Sequence, residues 1–210
     1  MTTAPKQPSA SGTSRPRRAQ DMTFGFLIFP GAEELDVVGP WEMIGVWSRR
    51  FGGPANRVVV SEKGGVVCCA GGLRVVADYN YGDCPTLHCL LVPGGTGTRR
   101  EVSNMNLLHF IRRRALTCDL IASVCTGSFI LHAAGQLSGR RATTHAESLE
   151  RLSRLSGVTA VRSRVVRDGK VWTSAGVSAG IDLALELIAH LSGSDIAREV
   201  LRVTEYEGPQ

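Results

Sequence analysis

Residues 124–127 read Val124-Cys125-Thr126-Gly127 and set one thiol between two apolar runs of different character. The segment before it, Asp119-Leu120-Ile121-Ala122-Ser123-Val124, has the short apolar pattern of a buried strand. The segment after it, Thr126 to Ala134, carries Phe129, Ile130, Leu131, Ala133 and Ala134 and reads as a helix. Cys125 therefore belongs on the turn between them. A thiol at a helix N-terminus meets unpaired N–H groups and the positive end of the dipole, which lower its pKa from about 8.5 into the range of about 3.5 to 7.5. The expectation is a thiolate nucleophile on an elbow, where Ser123, Gly127 and Ser128 leave room for the turn and for a substrate. An arbitrary free cysteine is a buried, inert packing residue; the strand-to-helix position sets Cys125 apart from that reading.

The surrounding elements alternate as a doubly wound α/β sheet requires. Strands are expected at Phe24–Phe29, Arg57–Ser61, His88–Val92 and in the run before Cys125. Helices are expected at Pro40–Arg50, Asn106–Thr117, Thr126–Ala134, Glu147–Leu155, Ile181–Leu191 and Asp195–Thr204. Hairpins join Val66–Ala70 to Leu73–Ala77 and Ser163–Arg167 to Lys170–Ser174. Crossover topology brings the C-terminal ends of parallel strands to one edge, where such sheets bind ligands. Three segments should meet there. One is the loop after the first strand, whose Asp36 is either a turn or capping residue or a carboxyl beside the thiol, kept protonated by apolar surroundings as a proton source. Another is Gly94-Gly95-Thr96-Gly97, either a plain turn or a loop offering backbone N–H groups to a developing anion. The last is Cys125-Thr126 itself.

Composition narrows the function classes. The chain has 210 residues, 43% of them hydrophobic, which suits one α/β domain over residues 22–210. No apolar run approaches the ~20 residues of a membrane span, and the polar N-terminus lacks the apolar block of a signal peptide. A soluble, cytoplasmic protein is expected. Its six cysteines show no CxxC pairing and read as reduced thiols; no zinc-ligand spacing links them to the five histidines. Of the net charge of +5, residues 1–21 hold +3, as Lys6, Arg15, Arg17 and Arg18 against Asp21, and the body holds +2. That Ser/Thr/Pro/Ala-rich tail is expected to be disordered. Arg112-Arg113-Arg114 and Arg140-Arg141 are solvated clusters with no accompanying nucleic-acid motif, so nucleic acid is not an expected partner.

The motifs taken together resemble a known family. They are Phe29-Pro30-Gly31 with Leu35-Asp36-Val37-Val38-Gly39-Pro40, Val92-Pro93-Gly94-Gly95-Thr96-Gly97, Ser123-Val124-Cys125-Thr126-Gly127-Ser128, Arg141-Ala142-Thr143-Thr144-His145, Arg164-Val165-Val166-Arg167-Asp168-Gly169, and Ala175-Gly176-Val177-Ser178-Ala179-Gly180-Ile181-Asp182. In this order, over residues 23–206, they resemble the ThiJ/PfpI superfamily, within it the isocyanide hydratase branch and the amidotransferase-like domains of AraC-type regulators. The resemblance implies a flavodoxin-like three-layer sandwich with a mostly parallel sheet, a homodimer, and neither metal nor organic cofactor. It implies that Cys125 attacks the terminal carbon of an isocyanide, that Asp36 shuttles protons and Thr126 positions the thiol. Gly94, Gly95, Thr96, Gly97, Ala175, Gly176 and Val177 would line the substrate pocket. Other branches carry a histidine beside the cysteine or a glutamate in the early loop; Thr126 and Asp36 stand there instead. The hydratase pattern often has Trp after the histidine, whereas Ala146 follows His145. His145 itself is read as a structural hydrogen-bonding residue. A lyase or carbonyl-adduct hydrolase of the same family, or a sensing module without turnover, are the alternatives. With the sequence ending at Gln210, no second, DNA-binding domain is expected.

Overall fold

Three central strands buried on both faces build the core. In β1 (Thr23–Leu27), β5 (Cys89–Val92) and β6 (Leu120–Ser123) every residue is buried, as strands covered on both faces require. Leu90, Val92 and Ile121 point to one side with Leu107, Ile111 and Ile130, while Cys89, Leu91 and Leu120 point to the other with Ile44, Trp47 and Leu183. The computed structural model describes residues 18–208. Its main sheet runs β2-β1-β5-β6-β10-β9, where β2 is Asn56–Val60, β9 Val165–Asp168 and β10 Val171–Ser174. All neighbours are parallel except the β9–β10 hairpin at one edge.

Helices cover both faces, giving the expected three-layer α/β sandwich. α1 (Glu34–Arg50), α6 (Ala179–Ser192) and α7 (Ser194–Val203) pack on one side; α3 (Met105–Ala115) and α4 (Gly127–Ala133) pack on the other, beside the short α2 (Thr98–Glu101). The β3–β4 hairpin (Gly65–Cys68 and Arg74–Ala77) stands outside the sheet, as expected. A short α5 (Leu149–Ser153) replaces the longer helix expected at Glu147–Leu155 and follows a 3₁₀ turn at Ala146–Ser148. The parallel pair β7 (Arg140–Ala142) and β8 (Val158–Ala160) was not anticipated.

The start of α1 differs from expectation in a way that matters for the site. A helix beginning at Pro40 would use the proline as its first residue. Instead α1 begins six residues earlier and keeps Pro40 inside. Pro40 then has no N–H for the Asp36 carbonyl one turn back, and its ring packs close to Gly180 of α6, where an added Cβ would lie 3.1 Å from Pro40 Cγ. Asp36 thus sits in the first turn of a helix and not on a loop. At the N-terminus residues 1–17 of the expected tail lie outside the described residues, and the last four form part of the body: Ala19–Asp21 is a 3₁₀ turn whose Gln20 carbonyl accepts the Ala55 N–H at 3.2 Å.

Candidate active site

Cys125 lies on a strained turn. Its φ of 55° falls in the left-handed region, which costs a non-glycine residue on the order of 1–3 kcal/mol and persists only when neighbours impose it. Here they do. The Cys125 N–H is shared between the Ser174 and Ala175 carbonyls at 3.2 and 3.0 Å, and the Cys125 carbonyl accepts the hydroxyls of Thr144 (2.9 Å) and Ser128 (3.3 Å). Gly127 and Gly94 supply the space. A Cβ on Gly127 would lie 2.3 Å from the Val92 carbonyl oxygen, and one on Gly94 would lie 2.6 Å from the Thr126 nitrogen.

Asp36 is fully buried. Its Oδ2 accepts the Gly94 N–H at 2.8 Å, while Oδ1 has no protein partner. Burial is the main cause that lifts its carboxyl from 3.8 to about 7, against the pull of the Gly94 N–H and with a small push from the charge of Glu33. The expected role as a protonated donor therefore has a physical basis: at neutral pH the carboxyl holds its proton about half the time. With Oδ2 accepting from Gly94 and Oδ1 free of protein partners, the proton of the neutral carboxyl falls on Oδ1.

The expected low thiol pKa is corrected. Cys125 is only 6% exposed, and this desolvation pushes the thiol up to about 11, with the charge of Asp36 as the next cause. Three donors pull the other way: the Thr126 N–H, the Val177 N–H and the Thr126 hydroxyl. Sequence showed the helix start but not the depth of burial, and burial wins. The donors mark where negative charge on sulfur would be received once a reaction creates it.

The glycine loop is also used differently from expectation. Its three glycine N–H groups are committed within the protein, Gly94 to Asp36, Gly95 to Thr126 Oγ1 at 3.1 Å and Gly97 to the Gly31 carbonyl at 2.9 Å. They orient the acid and the threonine and are not pointed at a ligand. Thr126 Oγ1 further bonds Thr98 Oγ1 at 3.0 Å.

Above the thiol opens a cavity of about 370 Å³. Of the expected site residues, Cys125, Thr126, Gly95, Thr96 and Val177 line it. Asp36, Gly94, Gly97, Ala175 and Gly176 are not on its wall. Gly176 lies under His145, whose Cδ2 would be 2.1 Å from an added Cβ. Sequence reading missed Glu33, Thr98, Arg99, Phe129, Glu147, Ser148 and Arg151 as wall residues. His145 is there too, its Nδ1 accepting the Glu147 N–H at 3.3 Å. The wall mixes charged and hydroxyl side chains with apolar surface, and Arg151 stacks its guanidinium 4.5 Å from the Phe129 ring centre. Trp41, Met43, Trp47 and Trp172, the large side chains available as pocket walls, do not line this cavity; Met43, Trp47 and Trp172 are buried in the core. Two cavities of similar size, about 370 and 410 Å³, flank Tyr81; neither has a cysteine in its lining, so the chemistry selects the one above Cys125.

A mostly parallel α/β sandwich with a cysteine on a strained elbow and a buried acid beside it defines the class of protein. The chain belongs to the DJ-1/PfpI family, whose model matches residues 23–190. It is 39% identical over 186 residues to the isonitrile hydratase of Pseudomonas putida, an alignment spanning 88% of this chain and 78% of that one. It is 32% identical over 178 residues to the HTH-type transcriptional regulator CdhR of Pseudomonas aeruginosa, covering 84% of this chain and about half (53%) of the regulator. The crystal structure of a ThiJ/PfpI family protein from Pseudomonas syringae superposes with a TM-score of 0.84 at 32% identity, over 98% of this chain and 84% of that one. No helix among the described residues is long and apolar enough to cross a membrane, and no three His, Cys, Asp or Glu among them gather as a metal site.

Proposed function

We propose that this chain is a cysteine-dependent hydratase that adds water to an isocyanide and releases an N-substituted formamide, working without a cofactor. The observation that carries the reading is the buried acid with one unpartnered oxygen, set beside a thiol surrounded by donors and opening on a cavity. The 39% identity to an isonitrile hydratase supports it.

The terminal carbon of R–N≡C accepts both a proton and a nucleophile. Asp36 donates its proton to that carbon, Cys125 sulfur bonds to the same carbon, and the thiol proton returns to Asp36. The product is a thioimidate, R–N=CH–S–Cys125. This order requires no free thiolate beforehand, which fits a thiol held near 11 beside an acid near 7. Water then adds to the thioimidate carbon while Asp36 protonates nitrogen and takes a proton from the water. Collapse of R–NH–CH(OH)–S–Cys125 breaks the C–S bond, returns the hydroxyl proton to sulfur and frees R–NH–CHO. Thr126 and the Val177 N–H favour negative charge on the sulfur as it develops. Arg99, Glu147 and Arg151 with Phe129 and Val177 give the cavity both charged and apolar wall, which suits a side group R that carries each.

We extend the reading to a cytoplasmic homodimer. Val66 and Val76, cross-strand partners on the β3–β4 hairpin, are 65% and 63% exposed, an apolar pair that a second copy would cover. The likeness to a transcriptional regulator favours one alternative, a small-molecule sensor. Steady-state assays across isocyanides of different bulk and polarity decide between them: formamide release supports the hydratase, and tight binding without turnover of any of them supports the sensor.

A further inference from the structure

The short helix α2 borders two cavities. Thr98 and Arg99 line the one above Cys125, while Arg100 and Glu101 line another, of about 410 Å³. No residue of the proposed reaction lines the second cavity.

Its polar wall is one connected network. Glu101 is buried, and its Oε1 accepts from Arg100 Nε and Nη2 at 2.9 and 2.6 Å. Arg100 Nη2 also donates to the Pro30 carbonyl at 3.1 Å. Asn104, the N-cap of α3, divides its side-chain amide between two carboxylates: Nδ2 lies 2.8 Å from Glu101 Oε2 and 2.8 Å from Glu62 Oε2. Those two oxygens are therefore no further apart than twice that distance. Asn106 Nδ2 donates to the other Glu62 oxygen at 2.8 Å. Together the two amides hold the Glu62 carboxyl below the usual carboxylate range, so it is ionised at neutral pH.

The charges in this network do not close. Arg100 is committed to Glu101, and Glu62 has no ion-pair partner among the described residues. Lys63 lines the cavity too, but it is exposed and bonds neither carboxylate. Two hydroxyls on the same wall are unused. Ser61, just after β2, is 3% exposed and its Oγ has no partner. Tyr81 stacks its ring on Phe110 at 4.3 Å and makes no hydrogen bond through its hydroxyl among the described residues. Ile28, Phe29, Pro30 and Val67 give the rest of the wall an apolar surface.

An ionised carboxylate without a counter-charge, beside two hydroxyls without partners, calls for a donor that carries positive charge. The apolar remainder calls for a hydrocarbon body. We propose that this cavity is a second ligand site, which takes a primary ammonium on an apolar body. An ammonium has three N–H donors, and Glu62, Ser61 and Tyr81 supply an acceptor each. A metal ion fits less well, because no three His, Cys, Asp or Glu gather among the described residues.

Isothermal titration calorimetry on the full chain tests this with benzylamine and cyclohexylamine, against benzyl alcohol and cyclohexanol as neutral counterparts. At least one amine should bind with a Kd below about 1 mM, and its alcohol at least about tenfold more weakly. Glu62→Gln keeps the shape and should weaken the amine about tenfold, the scale of one charge-assisted hydrogen bond, with the alcohol unchanged. Ser61→Ala should weaken it about threefold. Lys63→Met removes a competing cation and should tighten it about threefold. Glu147→Gln alters a carboxylate on the wall above Cys125 and should leave amine affinity within about twofold. The proposal is overturned by no binding of either amine, by equal binding of amine and alcohol, or by a fall in Glu147→Gln equal to that in Glu62→Gln. Binding of CaCl2 or MgCl2 that is lost in Glu62→Gln, with none of the amines, overturns it as well. Should Glu62→Gln fail to fold, Ser61→Ala and Lys63→Met carry the test, and unchanged affinity in both overturns the proposal. Binding is the readout, so the outcome is separate from whether any isocyanide is turned over.

Discussion

Strand β6 has a buried cysteine near each end, Cys118 before it and Cys125 after it, and the two thiols are alike in the property that first singles out a nucleophile. Desolvation pushes Cys118 up to about 12 and Cys125 up to about 11. They differ in what surrounds them. The Cys118 thiol donates to the Leu87 carbonyl at 3.3 Å and stays a satisfied neutral group. The Cys125 sulfur meets N–H and O–H donors, a carboxyl with one unpartnered oxygen, and a cavity. An acceptor next to a thiol keeps the proton on; donors around a sulfur stabilise it after the proton has gone. The proposed nucleophile is marked by the polarity of its neighbours and by the acid beside it, while its resting pKa does not distinguish it.

The largest effect should come from removing the sulfur that the comparison favours. Cys125→Ala should fold and lose formamide production by at least about 10⁴-fold, the scale of losing a covalent nucleophile. Retained turnover, measured by product chromatography, would end the comparison at once. Next in size is Asp36→Asn, which keeps nearly the same shape and takes away the transferable proton. Its kcat should fall by about 10²- to 10⁴-fold, with binding largely kept. An asparagine that merely capped a helix would leave kcat alone.

The pH dependence gives a smaller and more graded test. Asp36 is raised from 3.8 to about 7 in the folded protein. The folded chain therefore holds a proton that the unfolded chain has already released between about pH 4 and 7. Stability from this group is full below that window and is lost as pH rises through it, by about 4 kcal/mol in all. Urea melts across pH 4 to 8 should show the decline, and Asp36→Asn should flatten it. Turnover should follow the same group, level below about pH 7 and falling about tenfold per unit above it. A profile that rises through pH 8 would mean that thiolate formation limits the rate and Asp36 does not supply the proton. The smallest effect is expected at the other end of β6. Cys118→Ser keeps a donor for Leu87, so activity should stay within about twofold and stability within about 1 to 2 kcal/mol; a large loss of activity would show that the two ends are coupled.

Much of this was legible in the residues. The apolar run to Val124, the small residues around Cys125 and the helical run after it specify the elbow, because burial on both faces and a tight turn leave few other sequences possible. The parallel pairing of the central strands follows from crossover topology, whereas their order was not read from the residues. What could not be read were features fixed by depth and by distant segments. The start of α1 was hidden by Pro40, which signals a helix start and here lies inside one because Gly180 leaves room for its ring. The thiol pKa was misjudged because a helix terminus is visible in sequence and desolvation is not. Arg99 comes to the cavity from the four-residue α2, which carries no periodic signal, and Glu147 and Arg151 come from a 3₁₀ turn and the short α5, where a longer helix was expected whose approach to the thiol only the fold determines. Arg164 was part of a recognised motif, but its partners Asp182 and Tyr206 lie 18 and 42 residues further along, and only the fold brings them together.

The most direct test of the central claim is to trap the covalent intermediate. The parent protein mixed with an isocyanide, quenched in acid within milliseconds to seconds and analysed by intact and peptide mass spectrometry, should carry one adduct equal to the whole mass of the isocyanide. The adduct should sit on Cys125 alone and decay to free formamide, and Asp36→Asn should form it much more slowly than the parent protein. Formamide produced by the parent with no adduct at Cys125, or with the adduct on Cys118 or Cys68, would contradict the account.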